Sequence, residues 1–524
     1  MRAVFSIACF LLLRGLTNFL LQIVIAAHYG ATQQADTYFV VIGLVTFLAE
    51  LIAGVITFAL LPIQVRVRAE RGAAVNWEVS STIITVTGIC IICTTLIMAL
   101  GAPLLIRLLA PGFSPIALSA AVELTRIGSI AFACYAGALL IGCILQANEM
   151  FTTTAIAPTL PLICTFFAAF LLPNTWGGRG LILGFTAGSA IAITMQVAQL
   201  GFFAGAISLR PRLTHPHLAR AWSLIIPVVV AYLCPIVLTV VLRMRASHLA
   251  EGSIAALGYG QTIVGIPIAL IVAPLATVLF PRFSLHLKQG QLSSIAGMVK
   301  ESIVALVLAA ALAGALLGGL APPLVELLLK RGNFTSQDAA TTASVLRTLA
   351  AGLFVVTASN MLGRVICVVG KVRHYAVSWL ITVAFFLLLL LFNEQTPQAQ
   401  ELSSLGAALS LAYGCHAVLA FILLVREIPG TRLRPAFAFS ARLMLAMFAS
   451  GKASEWLAHL GAQIPLVDHP TTRIVMGLIL GGLGGTGLFI ALIMTMKGEE
   501  VRIMMTAARQ LSATRRPMGI VTHP

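Results

Sequence analysis

Six ionisable residues stand inside or at the edges of long apolar stretches, where the surroundings disfavour charge: Arg14, Asp36, Glu50, Arg243, Arg245 and Arg364. A charged side chain at the centre of a bilayer costs about 2.5–3.5 kcal/mol on insertion scales, so those that persist tend to face a cavity or a partner. Guanidinium groups bind carboxylates and phosphates through paired hydrogen bonds. A cavity with several arginines and few carboxylates would therefore suit an anion.

Three of these residues belong to the first two apolar stretches. Arg14 lies in the middle of the first stretch, too deep to reach water easily, and we expect it to bind a ligand or to pair with Asp36 or Glu50. Asp36 opens the second stretch, where a carboxylate also stabilises a helix N-terminus. Glu50 lies among apolar residues and must be paired, protonated or in contact with water.

The other three are arginines of the second half of the chain. Arg243 and Arg245 lie near the end of the seventh apolar stretch and either extend to the outer surface or face a cavity. Arg364, one turn after Asn360, either lines a cavity or extends to the nearby cytoplasmic surface. All six residues are therefore predicted substrate-binding candidates, each with a structural alternative.

The chain that must position them is 59% hydrophobic and 10% charged over 524 residues, a balance that a soluble domain could not cover with polar surface. Stretches of about 20 apolar residues match a bilayer core. The sequence predicts an all-α polytopic membrane protein. Its fourteen predicted spans are 5–27, 37–62, 81–107, 119–146, 152–172, 180–207, 221–245, 254–280, 300–328, 340–369, 374–392, 402–425, 438–460 and 472–496. The first span begins like a signal peptide, but its apolar sequence resumes after Arg14, so we expect a retained helix.

The basic residues collect mostly in alternate gaps between the spans. Four of the other gaps, 28–34, 111–117, 393–400 and 463–469, contain no lysine or arginine. This asymmetry predicts that both termini lie in the cytoplasm. It also explains the net charge of +16 by topology, with anionic membrane lipids as the partner and no role for nucleic acid. The exceptions on the predicted outer side are Arg179, Lys330, Arg331 and Lys452.

Two short patterns recur at nearly the same offset. Leu61-Pro62 returns as Phe280-Pro281, 219 positions later, and Phe113 to Arg126 returns as Phe334 to Arg347, 221 positions later. A single register accounts for both pairs, which indicates an internal repeat. We expect a first lobe at 1–207 and a second lobe at 208–426, related by an axis along the membrane normal. Residues 427–524 would add spans thirteen and fourteen and a basic cytoplasmic tail.

The remaining motifs exclude several classes of function. No phosphate-binding loop, nucleophile elbow or metal-binding spacing occurs, so the sequence predicts neither an enzyme nor a cofactor or metal site. All nine cysteines lie inside predicted spans, which excludes a disulfide framework in the loops. A drug or cation antiporter would need deep carboxylates in one lobe, and the second half has none.

Several stretches resemble the MurJ/MviN family, the lipid II flippases of the multidrug/oligosaccharidyl-lipid/polysaccharide (MOP) exporter superfamily. They are Tyr29-Gly30-Ala31, Ala35 to Phe39, Leu61-Pro62, Ala110-Pro111-Gly112-Phe113 and Arg331 to Thr335. The resemblance covers nearly the whole chain. It implies fourteen helices in two six-helix lobes around a cationic cavity, with helices thirteen and fourteen forming a groove for a lipid tail.

The resemblance also implies a function. An alternating-access flippase in the bacterial cytoplasmic membrane would move the headgroup of an undecaprenyl-pyrophosphoryl sugar-peptide to the periplasmic leaflet. Arg14 and Asp36 match family positions, whereas the family's other cavity arginines would fall near Leu20, Ala49 and Thr262, which are uncharged here. Arg243, Arg245 or Arg364 would then supply the missing charge, unless the substrate differs.

Two other functions remain open from the sequence. One is a flippase for another lipid-linked oligosaccharide, such as an exopolysaccharide or O-antigen unit, and the lost arginines are its main support. The other is a non-transporting scaffold that binds cell-wall synthesis proteins. The scaffold hypothesis predicts that Arg14 can be replaced without loss of function.

Overall fold

The computed structural model describes residues 2–150, 152–172, 176–201, 216–272, 292–393, 398–427, 433–463 and 469–495. Within these ranges the chain is helical and contains no strand. The α-helices are α1 (Arg2–Tyr29), α2 (Gln33–Val55), α3 (Leu61–Arg71), α4 (Ala73–Leu100), α5 (Ala102–Leu109), α6 (Pro115–Ala147), α7 (Thr152–Ile156), α8 (Leu160–Leu171), α9 (Gly178–Gly201), α10 (Pro216–Ala246), α11 (Ser253–Pro267), α12 (Leu292–Gly319), α13 (Ala321–Leu329), α14 (Ser336–Ala351), α15 (Leu353–Val368), α16 (Val372–Asn393), α17 (Gln398–Glu427), α18 (Leu433–Ala462) and α19 (Pro470–Thr495).

The predicted all-α polytopic fold is confirmed. Eleven of the described helices are long and apolar enough to cross a membrane, and the bent pair α14–α15 makes a twelfth span. The helices α1 and α18, with 28 and 30 residues, occupy the first and thirteenth predicted spans. A helix or helix pair therefore stands at each of the fourteen predicted positions, and the protein is a multi-pass membrane protein.

Several predicted spans are not single helices. The third and the ninth, predicted at 81–107 and 300–328, each consist of two consecutive helices, α4–α5 and α12–α13. The tenth, predicted at 340–369, bends by 45° between α14 and α15. Gly352 stands at this bend, where a Cβ would overlap the hydroxyl of Ser410, so the bend brings the backbone against α17. The fifth, predicted at 152–172, contains a 3₁₀ turn at Ala157–Thr159 before α8 begins. Prolines in such a segment remove backbone donors and interrupt the α-helical ladder.

Most helix packing stays within one half of the sequence. In the first half, α6 packs against α2, α4 and α9, and α9 also packs against α8. In the second half, α17 packs against α15 and α16, while α12 packs against α15. The division into two lobes at 1–207 and 208–426 stays a prediction. The proposed boundary at 207–208 and the basic tail beyond residue 495 lie outside the described residues.

The last two helices form a closely packed pair through glycine. Gly477, Gly481 and Gly485 are buried along one side of α19, four residues apart. A Cβ at Gly481 would lie 2.5 Å from the carbonyl oxygen of Ser454 on α18. Small residues at such contacts let two helix backbones approach, which stabilises their packing in a membrane. The helix α18 also packs against α12, so the pair is attached to the second half.

Candidate functional site

Arg14 and Glu50 come together in the first half of the chain. The Arg14 side chain on α1 is half-buried, and its charge attracts the Glu50 carboxylate on α2. The buried hydroxyl of Tyr135 on α6 lies close enough to interact with both charges. Glu50 is thus the nearer of the two predicted partners of Arg14, because Asp36 is held by α11, and the pairing itself stays a prediction.

Arg364 joins this group from the second half. Its side chain on α15 is exposed, and the hydroxyl of Tyr232 on α10 lies close enough to interact with both Arg364 and Glu50. The Tyr232 ring lies against α2 at Gly54, where a Cβ would stand 2.6 Å from the ring. Tyr232 thus links the charged residues of the two halves.

Glu50 and Arg364 stand on helices of different halves, α2 and α15, and both side chains are exposed. Ionisable side chains within membrane spans almost always face a bundle interior or a water-filled cavity. Arg14, Glu50 and Arg364 therefore stay predicted cavity residues. Together they would supply two cations and one carboxylate, a balance that suits an anionic group.

The positions without the family's arginines have different surroundings. Leu20 is exposed, Thr262 is half-buried and donates its hydroxyl to the Gly258 carbonyl, and Ala49 is fully buried. The residue after Ala49 is Glu50. Relative to the family pattern that the sequence predicts, α2 therefore lacks an arginine at Ala49 and carries a carboxylate at the next position.

Asp36 holds the two halves together. Its two carboxylate oxygens accept hydrogen bonds from the backbone N–H groups of Gly252 at 2.8 Å and Ala255 at 2.7 Å, at the N-terminus of α11. The side chain is buried, and the helix dipole stabilises its charge. Sequence reasoning placed Asp36 at the start of its own helix, whereas the helix it caps belongs to the other half. Its role in substrate binding stays a prediction.

Arg243 and Arg245 also make structural contacts. The Arg243 guanidinium donates to the Phe39 carbonyl oxygen at 2.9 Å and lies over the Phe47 ring, 5.0 Å from its centroid. The absence of a side chain at Gly43 leaves room for it on α2. Arg245 lies 3.7 Å from the Glu401 carboxylate on α17. These contacts give both arginines a packing role, and their predicted part in binding stays untested.

Backbone groups complete the contact between the halves at the predicted outer end. The Asn333 amide donates to the Ala27 carbonyl at 2.9 Å, and Tyr259 donates its hydroxyl to the Gly30 carbonyl at 2.8 Å. Gly332 has a φ of 57°, and a Cβ there would overlap the Ala27 carbonyl. Only glycine allows this approach without strain. The described structure is therefore closed at the predicted outer end.

Sequence reasoning missed Tyr232, Tyr135 and Tyr259. Tyrosine is ambiguous in an apolar helix, because its ring can pack while its hydroxyl bonds at a distance. For Tyr232 a signal was present, since it lies between Pro227 and Pro235 in α10. Two prolines in one helix indicate local irregularity where neighbouring helices must satisfy freed backbone groups.

The fold matches that of known transporters. A solved structure described as lipid II flippase MurJ, inward closed conformation, superposes with a TM-score of 0.72 at 18% identity, covering 93% of this chain and 99% of that one. An inward-facing multidrug resistance MATE family transporter of the MOP superfamily superposes with a TM-score of 0.66 at 14% identity, covering 78% and 93%. The described helices thus share the fold of these two solved structures.

Sequence comparison identifies the family. The family model described as lipid II flippase MurJ matches residues 25–472, so the chain belongs to the MurJ family. A relative named probable lipid II flippase MurJ from Rhizobium meliloti is 24% identical and covers 90% of this chain and 92% of its own length. A relative with the same name from Bdellovibrio bacteriovorus is 29% identical over 56% of this chain and 57% of its own length.

Proposed function

We propose that this protein translocates lipid II, a lipid-linked peptidoglycan precursor, across the bacterial cytoplasmic membrane. The observation that carries the proposal is the presence of ionisable side chains within spans of both halves, Arg14 and Glu50 in the first and Arg364 in the second, around the predicted cavity. The Tyr232 ring of the second half packs against α2 at Gly54, one turn after Glu50. A diphosphate headgroup needs cationic partners to leave water, and two guanidinium groups offer them. Membership of the MurJ family supports the choice of substrate.

The proposed transport cycle alternates access to this predicted cavity. Both termini would lie in the cytoplasm, as the distribution of basic residues predicts. The contacts of Asp36, Tyr259 and Asn333 would hold the outer end shut while the headgroup enters from the cytoplasmic side. Rocking of the two halves would break these contacts and expose the headgroup to the outside. No covalent step is part of this cycle.

A second candidate is the flipping of another lipid-linked oligosaccharide. The observation that favours it is the carboxylate of Glu50 in the predicted cavity, together with the neutral residues Leu20, Ala49 and Thr262. A less cationic cavity would bind a headgroup with less negative charge more readily than a diphosphate carrying an acidic peptide. The two candidates share the fold and differ in substrate.

Complementation tests the proposal directly. A bacterial host depleted of its own lipid II flippase would express this chain, its Arg14→Ala and Arg364→Ala variants, and Arg179→Ala as a matched control. Arg179 makes an exposed ion pair with Glu123 at 2.5 Å and lies away from the charged group. We expect wild type and the control to restore growth, and both cavity variants to fail at equal membrane levels.

Two results would contradict the proposal. Failure of the well-expressed wild-type chain would favour the second candidate, and a host depleted of an O-antigen flippase would then be the matching test. Rescue by Arg14→Ala and Arg364→Ala together would remove the binding role and favour a non-transporting scaffold that acts through cell-wall synthesis proteins. Accessibility of lipid II to a membrane-impermeant hydrolase would confirm that rescue reflects translocation.

A further inference from the structure

Four cationic side chains lie close together at the predicted outer end of the second half and α18. All four are exposed, and they come from the turn after α13, from α14 and from α18: Lys330, Arg331, Arg347 and Lys452. We refer to them as the outer cationic cluster. The proposed translocation uses none of them.

The cluster has more positive than negative charge. Lys330 forms an ion pair with Glu326 at 2.5 Å. The Glu455 carboxylate forms ion pairs with both Arg347, at 2.7 Å, and Lys452, at 2.9 Å. Four cations thus face two carboxylates, which leaves two positive charges in excess. Exposed ion pairs of this kind contribute about 0–1 kcal/mol each, so their cations remain open to a further anion.

The charge is unusual for this side of the protein. Lys330, Arg331 and Lys452 are three of the four exceptions to the otherwise cation-poor outer gaps. At the 221-residue offset of the repeat, the first half has Leu109 and Ala110 where the second half has Lys330 and Arg331. The excess is therefore specific to the half that packs against α18. Topology alone predicts the opposite distribution of charge.

A cleft opens beside the cluster. It encloses about 330 Å³ between α13 and α14, with Glu326, Lys330 and Arg347 among its lining residues. Its floor is made of small and apolar side chains, including Ala339 and Ala343. The Arg347 guanidinium is held in place by the Gly318 carbonyl, to which its Nε donates at 3.3 Å, and by its ion pair. The cleft thus combines a charged rim with an apolar floor.

The depth of the cluster matches a lipid headgroup. Trp456 stands next to Glu455 on α18 and is 64% exposed, as expected for a tryptophan at the boundary between water and lipid. An outer-leaflet lipid would place its phosphate near the cations at this level. Its glycerol backbone and first methylenes would then meet the apolar floor of the cleft.

We propose that the outer cationic cluster binds the phosphate headgroup of an anionic glycerophospholipid in the outer leaflet. The excess positive charge, the cleft and the headgroup depth all favour a lipid phosphate. The proposal uses the predicted orientation and is independent of the translocated substrate. Such a lipid would bridge α14 and α18, and so connect the second half to the last helix pair.

Lipid retention by the purified full-length chain tests this proposal. The protein in detergent would be titrated with phosphatidylglycerol or with phosphatidylcholine, and bound lipids would be counted by native mass spectrometry. The test variant is K330Q/R331Q/K452Q, which leaves Arg347 and its anchor intact. The matched control is R107Q/R126Q/R179Q, which removes three cations from the same predicted end of the first half.

We expect wild type and the control to retain phosphatidylglycerol in preference to phosphatidylcholine. The test variant should bind phosphatidylglycerol more weakly by about fivefold for each charge removed. If the triple variant is unstable, the single variant K452Q, which changes one exposed residue, provides the same comparison with an expected change of about fivefold.

Three results would overturn the proposal. Equal loss in the control variant would show that only net charge matters. Displacement of the lipid by millimolar inorganic phosphate would show a site for free phosphate. Preferential retention of undecaprenyl diphosphate over phosphatidylglycerol, lost in the test variant, would reassign the cluster to a diphosphate lipid.

Discussion

Replacing Asp36 with alanine should release the contact between the halves at the predicted outer end. In the closed structure its carboxylate accepts hydrogen bonds from Gly252 and Ala255, which are more than 200 residues away in the chain. A state in which the outer end opens must break both bonds. The substitution therefore destabilises the closed state and leaves the open state almost unaffected.

The size of the effect follows from these two bonds. A hydrogen bond to a charged group contributes about 1.5–3 kcal/mol. The lower value is appropriate, because Asp36→Ala also removes the cost of burying a carboxylate. Two bonds then give about 3 kcal/mol, which corresponds to a shift of about 150-fold in the equilibrium between closed and open states. Asp36→Asn keeps one acceptor oxygen and should give an intermediate shift.

Distance measurements between spin labels would report this shift. Labels at Ser119 and Gln337, both exposed at the predicted outer end, would be compared in wild type and Asp36→Ala in lipid nanodiscs. We expect a longer distance to become populated in the variant. Glu326→Ala is the matched control, because Glu326 lies at the same predicted end and pairs with Lys330 within the second half.

The reasoning would be refuted by an unchanged distance distribution in Asp36→Ala. It would also be refuted if Glu326→Ala produced the same shift, since the effect would then reflect any loss of charge at this end. The thermal midpoint of the detergent-solubilised protein distinguishes a loss of folding from a shift between closed and open states, because only a loss of folding lowers the midpoint strongly.

Three further outcomes can be measured. Gly332→Ala should open the outer end in the same spin-label assay, because its Cβ would meet the Ala27 carbonyl; an unchanged distance would contradict this contact. Arg243→Met should lower the thermal midpoint by removing the bond to Phe39, worth about 1.5–3 kcal/mol, and an unchanged midpoint would show that the bond does not hold the halves together. His416→Ala should lower the midpoint further, since it leaves a cavity and removes the partner of the buried Ser359 hydroxyl; His416→Gln should restore part of the loss, and equal midpoints for the two variants would refute a hydrogen-bonding role.

The spans were predictable because a bilayer imposes their length. Each must supply about 20 apolar residues, and that constraint acts on the sequence locally. The bend at Gly352 and the 3₁₀ turn at Ala157–Thr159 were not predicted, because they depend on how neighbouring helices pack. Hydropathy reports the presence of a span and gives no information on its shape.

The candidate site was predictable only in part. Charge in an apolar helix identified Arg14, Glu50 and Arg364, and the structure leaves Glu50 and Arg364 exposed within their spans. The same signal selected Asp36 and Arg243, whose partners are backbone groups of distant helices. Almost uniformly apolar helices do not indicate which face meets which neighbour, so sequence alone could not separate the two groups.

The outer closure depends mostly on main-chain atoms. Carbonyl groups of Ala27, Gly30 and Phe39 and the amide of Gly252 are among its bonding partners, and every amino acid except proline supplies the same amide. Substitutions at Ala27 and Phe39 can therefore keep these bonds, whereas Gly30 and Gly252, with φ of 61° and 84°, must stay glycine. Residues that line the cavity can change without affecting these bonds. The same fold can therefore accept a new substrate while its outer end closes in the same way.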